Sequence, residues 1–163
     1  MKIALYFGSF NPVHTGHLII GSHVLSHCKV DRLWFVVSPH NPLKESSSLL
    51  NENHRLHLLQ IAIEHEPKFK ASNIEFSMPR PSYTIDTMVY LQEKYPQHEF
   101  CIVMGSDSFQ NIKKWKNYQQ LLSQYKIIVY RRPGFEINPA SGGEIEIAEA
   151  PLLDISSTYI RSL

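Results

Sequence analysis

Two histidines lie three residues apart where the first apolar segment of the chain gives way to the second. They are His14 and His17, in the segment GSFNPVHTGH, which runs from residue 8 to residue 17. If a helix begins near Thr15, both side chains lie close together on one face of its first turn. Two imidazoles beside a helix N-terminus form a donor cluster that suits phosphate oxygens.

The residues around this pair favour a ligand site over a plain connection. Gly8 and Ser9 leave the preceding strand with little side-chain bulk, so that backbone N–H groups could approach a ligand, and Gly16 suits the opening of a helix. The segment lacks the three glycines of the GxGxxG dinucleotide fingerprint. A bare HxxH is more often a metal-ligand pair or two ordinary turn histidines, but a strand followed by Gly-Ser, Asn-Pro and HxGH favours phosphate binding.

The end of the chain carries a second set of residue types that bind phosphate. Ser156, Ser157 and Thr158 in DISSTYIRSL would open a helix, and Arg161 follows on the same face. Hydroxyls, free N–H groups and a guanidinium would then converge on one point, as a polyphosphate requires. Taken alone, the pattern is that of a capped helix with a nearby arginine.

The apolar pattern indicates the elements that must position these residues. Short apolar runs at 3–7, 33–38, 100–104 and 126–130 are typical of strands buried on both faces, and segments with helical spacing lie between them. EIEIAE alternates as an exposed edge strand would. We therefore expect an α/β fold, a single doubly wound, Rossmann-like domain with a mainly parallel sheet over 1–163. Such sheets bind ligands beyond the carboxyl ends of their strands, where GSFNPVHTGH, PHNPLK, GSDSFQ and RRPGF would lie.

Composition excludes several classes of partner. Sixteen basic and fifteen acidic residues give a formal net charge of +1. This charge lacks the excess of basic residues that is typical of proteins that bind nucleic acid. No window approaches the ~18 apolar residues of a membrane span, and no signal peptide is visible, so we expect a cytoplasmic protein without a membrane partner.

Cys28 and Cys101 lack CxxC spacing and are expected to be buried free thiols. The histidines of the second predicted helix are expected to be solvent-exposed: His54, His57 and His65.

The two phosphate-binding segments resemble the HxGH and ISST-x-[IV]-R motifs of the HxGH nucleotidyltransferase superfamily. Within this superfamily, the sequence is similar to that of the bacterial nicotinate (nicotinamide) mononucleotide adenylyltransferases. The similarity extends over nearly the whole chain, and the motifs occur in the expected order. The resemblance implies adenylyl transfer from ATP to nicotinate mononucleotide, giving deamido-NAD and pyrophosphate in NAD biosynthesis. No carboxylate cluster for a permanent metal site is visible, so Mg²⁺ is expected to arrive with ATP.

The resemblance also implies roles for individual residues. The catalytic residues, which would supply positive potential to the phosphates, are His14, His17 and Arg161. Those expected to bind ATP are Gly8, Ser9, Phe10, Gly16, Gly105, Asp107, Ser156, Ser157 and Thr158. Those expected to bind the mononucleotide are Asn11, Lys44, Tyr83, Thr84, Trp115 and Arg132. Of these, Trp115 would stack on the pyridine ring, and Lys44 would touch the mononucleotide phosphate.

Two features depart from the family pattern. Asn11 stands where family members usually carry Asp; the amide keeps the hydrogen-bonding shape but lacks the charge. The chain ends at Leu163, shortly after Arg161, whereas family members normally continue with further helix. We therefore expect either a short variant or an absent tail.

Three alternatives keep part of this chemistry. A phosphopantetheine adenylyltransferase has a similar short chain and related end motifs, although PSYTIDT and Trp115 favour a pyridine substrate. A catalytically silent nucleotide-binding module would bind ATP without releasing pyrophosphate. A fragment of an aminoacyl-tRNA synthetase would use an HxGH motif in a similar way. The near-zero net charge of this chain and the lack of an anticodon domain argue against that alternative. The nicotinate or nicotinamide preference and the oligomeric state stay open at this stage.

Overall fold

Six strands form one parallel sheet in the order β3-β2-β1-β4-β5-β6. The computed structural model describes residues 1–39, 50–137 and 143–149. The strands are β1 (Lys2–Gly8), β2 (Arg32–Val37), β3 (Phe69–Ser72), β4 (Glu99–Gly105), β5 (Ile127–Tyr130) and β6 (Ile145–Ala148). The helices are α1 (Thr15–His27), α2 (Glu52–Ile63), α3 (Thr84–Lys94), α4 (Ser106–Gln110) and α5 (Tyr118–Gln124), with 3₁₀ turns at Ile74–Ser77 and Ile112–Lys114.

Alternate side chains of the central strands enter two hydrophobic cores, one on each face of the sheet. Ile3 and Leu5 of β1 face a core shared with α3, α4 and α5, whereas Ala4 and Tyr6 face a core shared with α1 and α2. Because both faces are covered, the central strands are continuous apolar runs in the sequence. The order of the strands reverses beside β1, so the carboxyl ends of β1 and β4 open the crevice in which such sheets bind ligands.

The predicted doubly wound fold with a parallel sheet is confirmed. The four apolar runs predict β1, β2, β4 and β5 to within one residue at each end, and the alternating segment near the C-terminus is the edge strand β6. The sequence did not predict β3, because it has only four residues and carries a lysine on its outer side. That Lys70 ammonium lies 4.5 Å from the ring centroid of Trp34 on β2, so the charge covers an apolar neighbour.

The expectations for the two cysteines and for three of the histidines are also confirmed. Cys28 and Cys101 are buried free thiols, and burial raises the pKa of each to about 12, so neither is a thiolate at neutral pH. The three histidines of and after α2 are exposed: His54, His57 and His65. Across residues 1–39, 50–137 and 143–149, no helix combines the length and apolar character needed to cross a membrane.

Candidate active site

The junction after β1 is shaped by Phe10. This residue has a φ of 48°, in the left-handed region that few residues other than glycine adopt, and its ring is buried. The ring makes edge-on contacts with Tyr6, Phe35 and His17, at centroid distances of 5.5, 5.5 and 5.0 Å. A Cβ on Gly8 would lie 3.1 Å from the same ring. Gly8 therefore makes room for the Phe10 ring, and the expectation that its main chain meets a ligand stays a prediction.

The two histidines of this junction cap helix α1 together. His14 is the N-cap, and its Nδ1 accepts a hydrogen bond from the Gly16 N–H at 3.0 Å. In return, the His14 N–H donates to Nδ1 of His17 at 3.1 Å. The rings stack with centroids 3.9 Å apart and 26° between their planes, so the predicted proximity is confirmed. The Gly16 N–H is consequently occupied by the cap and is not a free donor for an anion.

The capping bonds set the tautomer of both imidazoles, and burial sets their charge. Since each Nδ1 accepts from a backbone N–H, the ring proton of each histidine is on Nε2. Burial, with the nearby charge of Arg132, lowers the pKa of His14, and burial followed by His14 and Arg132 lowers the pKa of His17 to about 3. Both rings are therefore neutral at pH 7. The pair offers two Nε2–H donors rather than the positive charges expected from the sequence.

Arg55 on α2 ties the carboxyl ends of β1 and β2 to the start of α2. Its side chain has 0% exposure. Nη1 donates to the carbonyl oxygens of Ser9 and Ser38, both at 2.7 Å, and Nε donates to that of Leu50 at 2.9 Å. Nη2 is buried with no hydrogen-bond partner in the part of the chain that the structure describes. The guanidinium thus anchors the loop that carries the histidine pair.

Asn11 makes a second link between the same segments. It is buried, and its Oδ1 accepts from the Leu50 N–H at 2.9 Å. An aspartate oxygen at this position could accept the same bond. The loop after β1 is therefore held to the start of α2 by two contacts, one from the Arg55 guanidinium and one from the Asn11 amide.

The ends of β4 and β5 bring a carboxylate and a guanidinium to the same edge of the sheet. A Cβ on Gly105 would lie 2.5 Å from Oδ1 of Asp107 and 3.0 Å from the ring of Tyr130, so glycine lets Asp107 fold back over the strand end. Nη1 of Arg132 lies 3.4 Å from Oδ2 of Asp107, and the Arg132 N–H donates to Ser106 Oγ at 2.8 Å. The charge of Arg132 also helps to lower the pKa of both histidines.

Two phenols lie beneath this group. The Tyr6 hydroxyl donates to that of Tyr130 at 3.4 Å, and the Tyr6 ring packs edge-on against His17 with centroids 6.2 Å apart. Burial raises the pKa of both phenols, so they are neutral at physiological pH. The side chains that pack beneath the neutral histidine pair are therefore also uncharged.

The start of α3 and the turn before α5 carry three of the residues predicted to bind the mononucleotide. Tyr83 is the N-cap of α3 and Thr84 its first residue, as predicted, and no described side chain caps this end. Trp115 is half-buried and packs against the core beneath α3, α4 and α5. Lys116 joins the two segments: its Nζ lies 2.9 Å from Oδ2 of Asp86 and 5.0 Å from the ring centroid of Tyr83.

A buried carboxyl supports the first turn of α3. Glu75 is 3% exposed and accepts a hydrogen bond from the Thr87 hydroxyl at 2.8 Å. Burial raises the pKa of Glu75 to about 7, against the smaller opposing effect of that hydrogen bond. On the same side, Arg80 forms a bidentate pair with Glu52 at 2.6 Å, which connects the loop before α3 to the start of α2.

Three of these positioning residues did not emerge from the sequence. Arg55, Glu75 and Lys116 carry charges, and charged side chains usually read as solvated. A signal was present for Arg55, which precedes the buried Leu59 and Ile63 by four and eight residues and so shares their helix face. The structure places the His14 and His17 rings in contact and pairs Asp107 with Arg132. Five predicted site residues lie outside the described residues: Lys44, Ser156, Ser157, Thr158 and Arg161.

The described residues offer no metal cage of their own. Within those ranges, no group of three or more His, Cys, Asp or Glu side chains is placed to hold a metal ion. The polar groups that the structure does bring together are neutral imidazole N–H donors, one guanidinium and one carboxylate. Such a set can bind phosphate oxygens and a hydroxyl-bearing sugar.

Sequence comparisons identify relatives over the whole chain. The chain matches the sequence model of the cytidylyltransferase-like family over residues 5–163. It is 48% identical over 164 residues to a probable nicotinate-nucleotide adenylyltransferase of Cytophaga hutchinsonii, covering 100% of this chain and 85% of that protein. It is 41% identical over 161 residues to a protein of the same name from Bacteroides fragilis, covering 98% of this chain and 80% of that one.

Structural comparisons agree on the fold. The chain superposes on Plasmodium falciparum nicotinic acid mononucleotide adenylyltransferase complexed with NaAD with a TM-score of 0.83, at 21% identity, over 99% of this chain and 82% of that one. For a putative nicotinate-nucleotide adenylyltransferase from Vibrio parahaemolyticus, the TM-score is 0.69 at 20% identity, over 99% and 78%. The family match and the curated relatives confirm the resemblance: this chain belongs to the cytidylyltransferase-like family and, within it, to the nicotinate-nucleotide adenylyltransferases.

Proposed function

We propose that this enzyme transfers the adenylyl group of Mg²⁺–ATP to nicotinate mononucleotide, forming deamido-NAD and releasing pyrophosphate. The observation that carries the proposal is the capped pair of His14 and His17, whose Nε2–H groups have no hydrogen-bond acceptor among the described residues. The names of the curated relatives support the same reaction. Nucleotidyltransferases of this family generally use a divalent metal with ATP, and we assign Mg²⁺ as the ion that enters with it.

In the proposed reaction, a phosphate oxygen of the mononucleotide attacks the α-phosphorus of ATP in line, and pyrophosphate leaves. No protein group forms a covalent bond, so catalysis rests on positioning and on stabilising charge as it develops on the phosphate oxygens. His14 and His17 donate from Nε2 to those oxygens. Arg161, at the distal end of the chain, adds a positive charge that neutral imidazoles do not supply, and Ser156, Ser157 and Thr158 bind the triphosphate beside it.

The remaining ATP contacts in this proposal come from the strand ends. The main chain of Gly8, Ser9 and Phe10 lines the triphosphate, and Gly16, whose N–H is bonded to His14, allows close approach without donating. Asp107, beyond Gly105, accepts hydrogen bonds from ribose hydroxyls. On the acceptor side, Tyr83 and Thr84 present N–H groups to the nicotinate carboxylate, which the uncapped start of α3 supports. Mononucleotide contacts are completed by Asn11, Lys44, Trp115 and Arg132.

The role of His17 is tested by comparing two histidine variants. His17→Ala should lower kcat by ~10²-fold or more, because it removes a donor aimed at developing charge. His65→Ala, which removes an exposed histidine after α2, should leave kcat unchanged. The measurement is steady-state pyrophosphate release with saturating Mg²⁺–ATP and nicotinate mononucleotide, on variants shown to be folded by circular dichroism. Near-normal turnover of His17→Ala would overturn the assigned role.

A further inference from the structure

An ion pair lies at the start of α3, beside the segment that carries Trp115. Asp86 is the third residue of α3, and its Oδ2 is 2.9 Å from Nζ of Lys116. The same ammonium lies 5.0 Å from the ring centroid of Tyr83, the N-cap residue. Both side chains of the pair are 46% exposed, so each charge is partly solvated.

The two charges act in opposite directions on an anion bound at this helix end. The N-terminus of a helix carries a partial positive charge that favours anions, and α3 has 11 residues and no described side-chain cap. Asp86 places a negative charge within that first turn, where it competes with a bound carboxylate. Lys116 neutralises Asp86 and adds a positive charge next to Trp115. The net potential at the helix end thus depends on the balance between them.

We propose that Lys116 and Asp86 set the preference of the enzyme for a carboxylate over an amide on the pyridine ring. This inference rests on the proposed function, since it concerns the acceptor mononucleotide at that same site. Nicotinate and nicotinamide mononucleotides share the phosphate, the ribose and the pyridinium charge, and differ in one negative charge at the carboxyl position. A nearby protein charge therefore changes the binding of the first relative to the second, while a loss of packing affects both.

The size of the effect follows from Coulomb's law. One unit charge within ~7 Å of the carboxylate, at an effective dielectric constant of ~40, changes affinity by about fivefold to tenfold. Lys116→Met should lower the ratio of kcat/KM for nicotinate over nicotinamide mononucleotide by that factor. Asp86→Asn should raise the same ratio by about twofold to fivefold, because the helix end then faces an unpaired ammonium. The double variant should return close to the wild-type ratio.

The experiment measures kcat/KM for both mononucleotides with wild type, Lys116→Met, Asp86→Asn and the double variant. Lys113→Met, an exposed lysine of the same turn with no ion pair among the described residues, is the matched control. Ratios that move in opposite directions for the two single variants support the proposal. If both variants lower kcat/KM equally for both substrates, the pair only holds the two segments together, and the proposal is overturned.

The failure of the inference is distinguishable from that of the proposed function. If wild type turns over both mononucleotides and the ratio does not move, the inference alone is wrong. If wild type turns over neither, the proposed function is wrong, and the inference falls with it. The change in the kcat/KM ratio should be smaller at high ionic strength, because salt screens partly exposed charges. This dependence provides a further check.

Discussion

Because His17 is neutral in the folded protein, it is predicted to make the free energy of unfolding decrease as the pH falls. A substitution of His17 should remove this contribution. In the folded protein, the pKa of His17 is lowered to about 3 from its ordinary 6.5, chiefly because the ring is buried. Between these two values the unfolded chain binds a proton at this histidine and the folded protein does not. The stability that His17 contributes is therefore fully present above pH 6.5 and is lost as the pH drops toward 3.

The expected size of this loss follows from the two pKa values. Each pH unit within the window costs about 1.4 kcal/mol, so lowering the pH from about 7 to about 5 should cost about 2 kcal/mol through His17 alone. For a chain of this length, a loss of that size lowers Tm by about 4–8 °C. Other groups titrate over the same range, so the difference between wild type and a variant isolates this contribution.

Urea unfolding near pH 7, 6 and 5 tests the prediction with wild type and His17→Gln. The glutamine amide retains an oxygen that can accept from the His14 N–H but does not titrate. The variant should lose about 2 kcal/mol less than wild type over this range. His65→Gln is the matched control, since His65 is exposed, and should follow wild type. Parallel pH profiles for wild type and His17→Gln would refute the argument that the cap keeps this imidazole neutral.

Three further substitutions test the supporting residues. Arg55→Met should reduce the free energy of unfolding by about 3–5 kcal/mol, because it removes a buried cation from three carbonyl oxygens that it joins; a loss below about 1 kcal/mol in urea unfolding would contradict the anchoring role. Asn11→Asp should preserve the bond to the Leu50 N–H and keep turnover, whereas Asn11→Ala should lose about 1 kcal/mol and raise KM for ATP. Identical results for the two Asn11 variants would show that this bond is irrelevant. Glu75→Gln should remove a pH dependence of the opposite sign: burial raises the folded pKa of Glu75 from 4.5 to about 7, so wild type should lose about 3 kcal/mol relative to the variant as the pH rises through that interval, again measured by urea unfolding.

The fold was largely predictable because its central strands are buried on both faces. Continuous apolar runs such as the one in β4 (Glu99–Gly105) have no other simple interpretation when helical segments alternate with them. Strand β3 (Phe69–Ser72) was missed because an edge strand of four residues leaves no such run, and Lys70 interrupts its apolar residues. Short elements at the border of a sheet are determined by tertiary contacts more than by local pattern.

The candidate site was predictable in its location but less so in its chemistry. His14 and His17 were expected on one face of a first turn, since their spacing requires it in any helix that begins near Thr15. The neutral state of the two imidazoles was not expected. It depends on burial and on the capping bonds, which cannot be seen in the sequence. Gly8 shows the same limit: the glycine was correctly noticed, but the atoms that fill the space above it belong to Phe10.

The positioning residues were the least predictable part. A guanidinium can be buried only where several carbonyl oxygens converge, and Arg55 meets this condition through Ser9, Ser38 and Leu50, which come from three separate segments of the chain. Such convergence is a property of the folded sheet edge. Helical spacing with Leu59 placed Arg55 on the buried face, but only the fold supplied its partners.

Pyrophosphate release with Mg²⁺–ATP and a panel of acceptors is the most direct test of the central claim. Nicotinate mononucleotide, nicotinamide mononucleotide and phosphopantetheine are assayed in parallel, with His17→Ala as the inactive control. We predict turnover with nicotinate mononucleotide, formation of deamido-NAD in equal amount to pyrophosphate, and loss of both in the variant. Turnover with phosphopantetheine alone, or ATP binding without pyrophosphate release from any acceptor, would contradict the account.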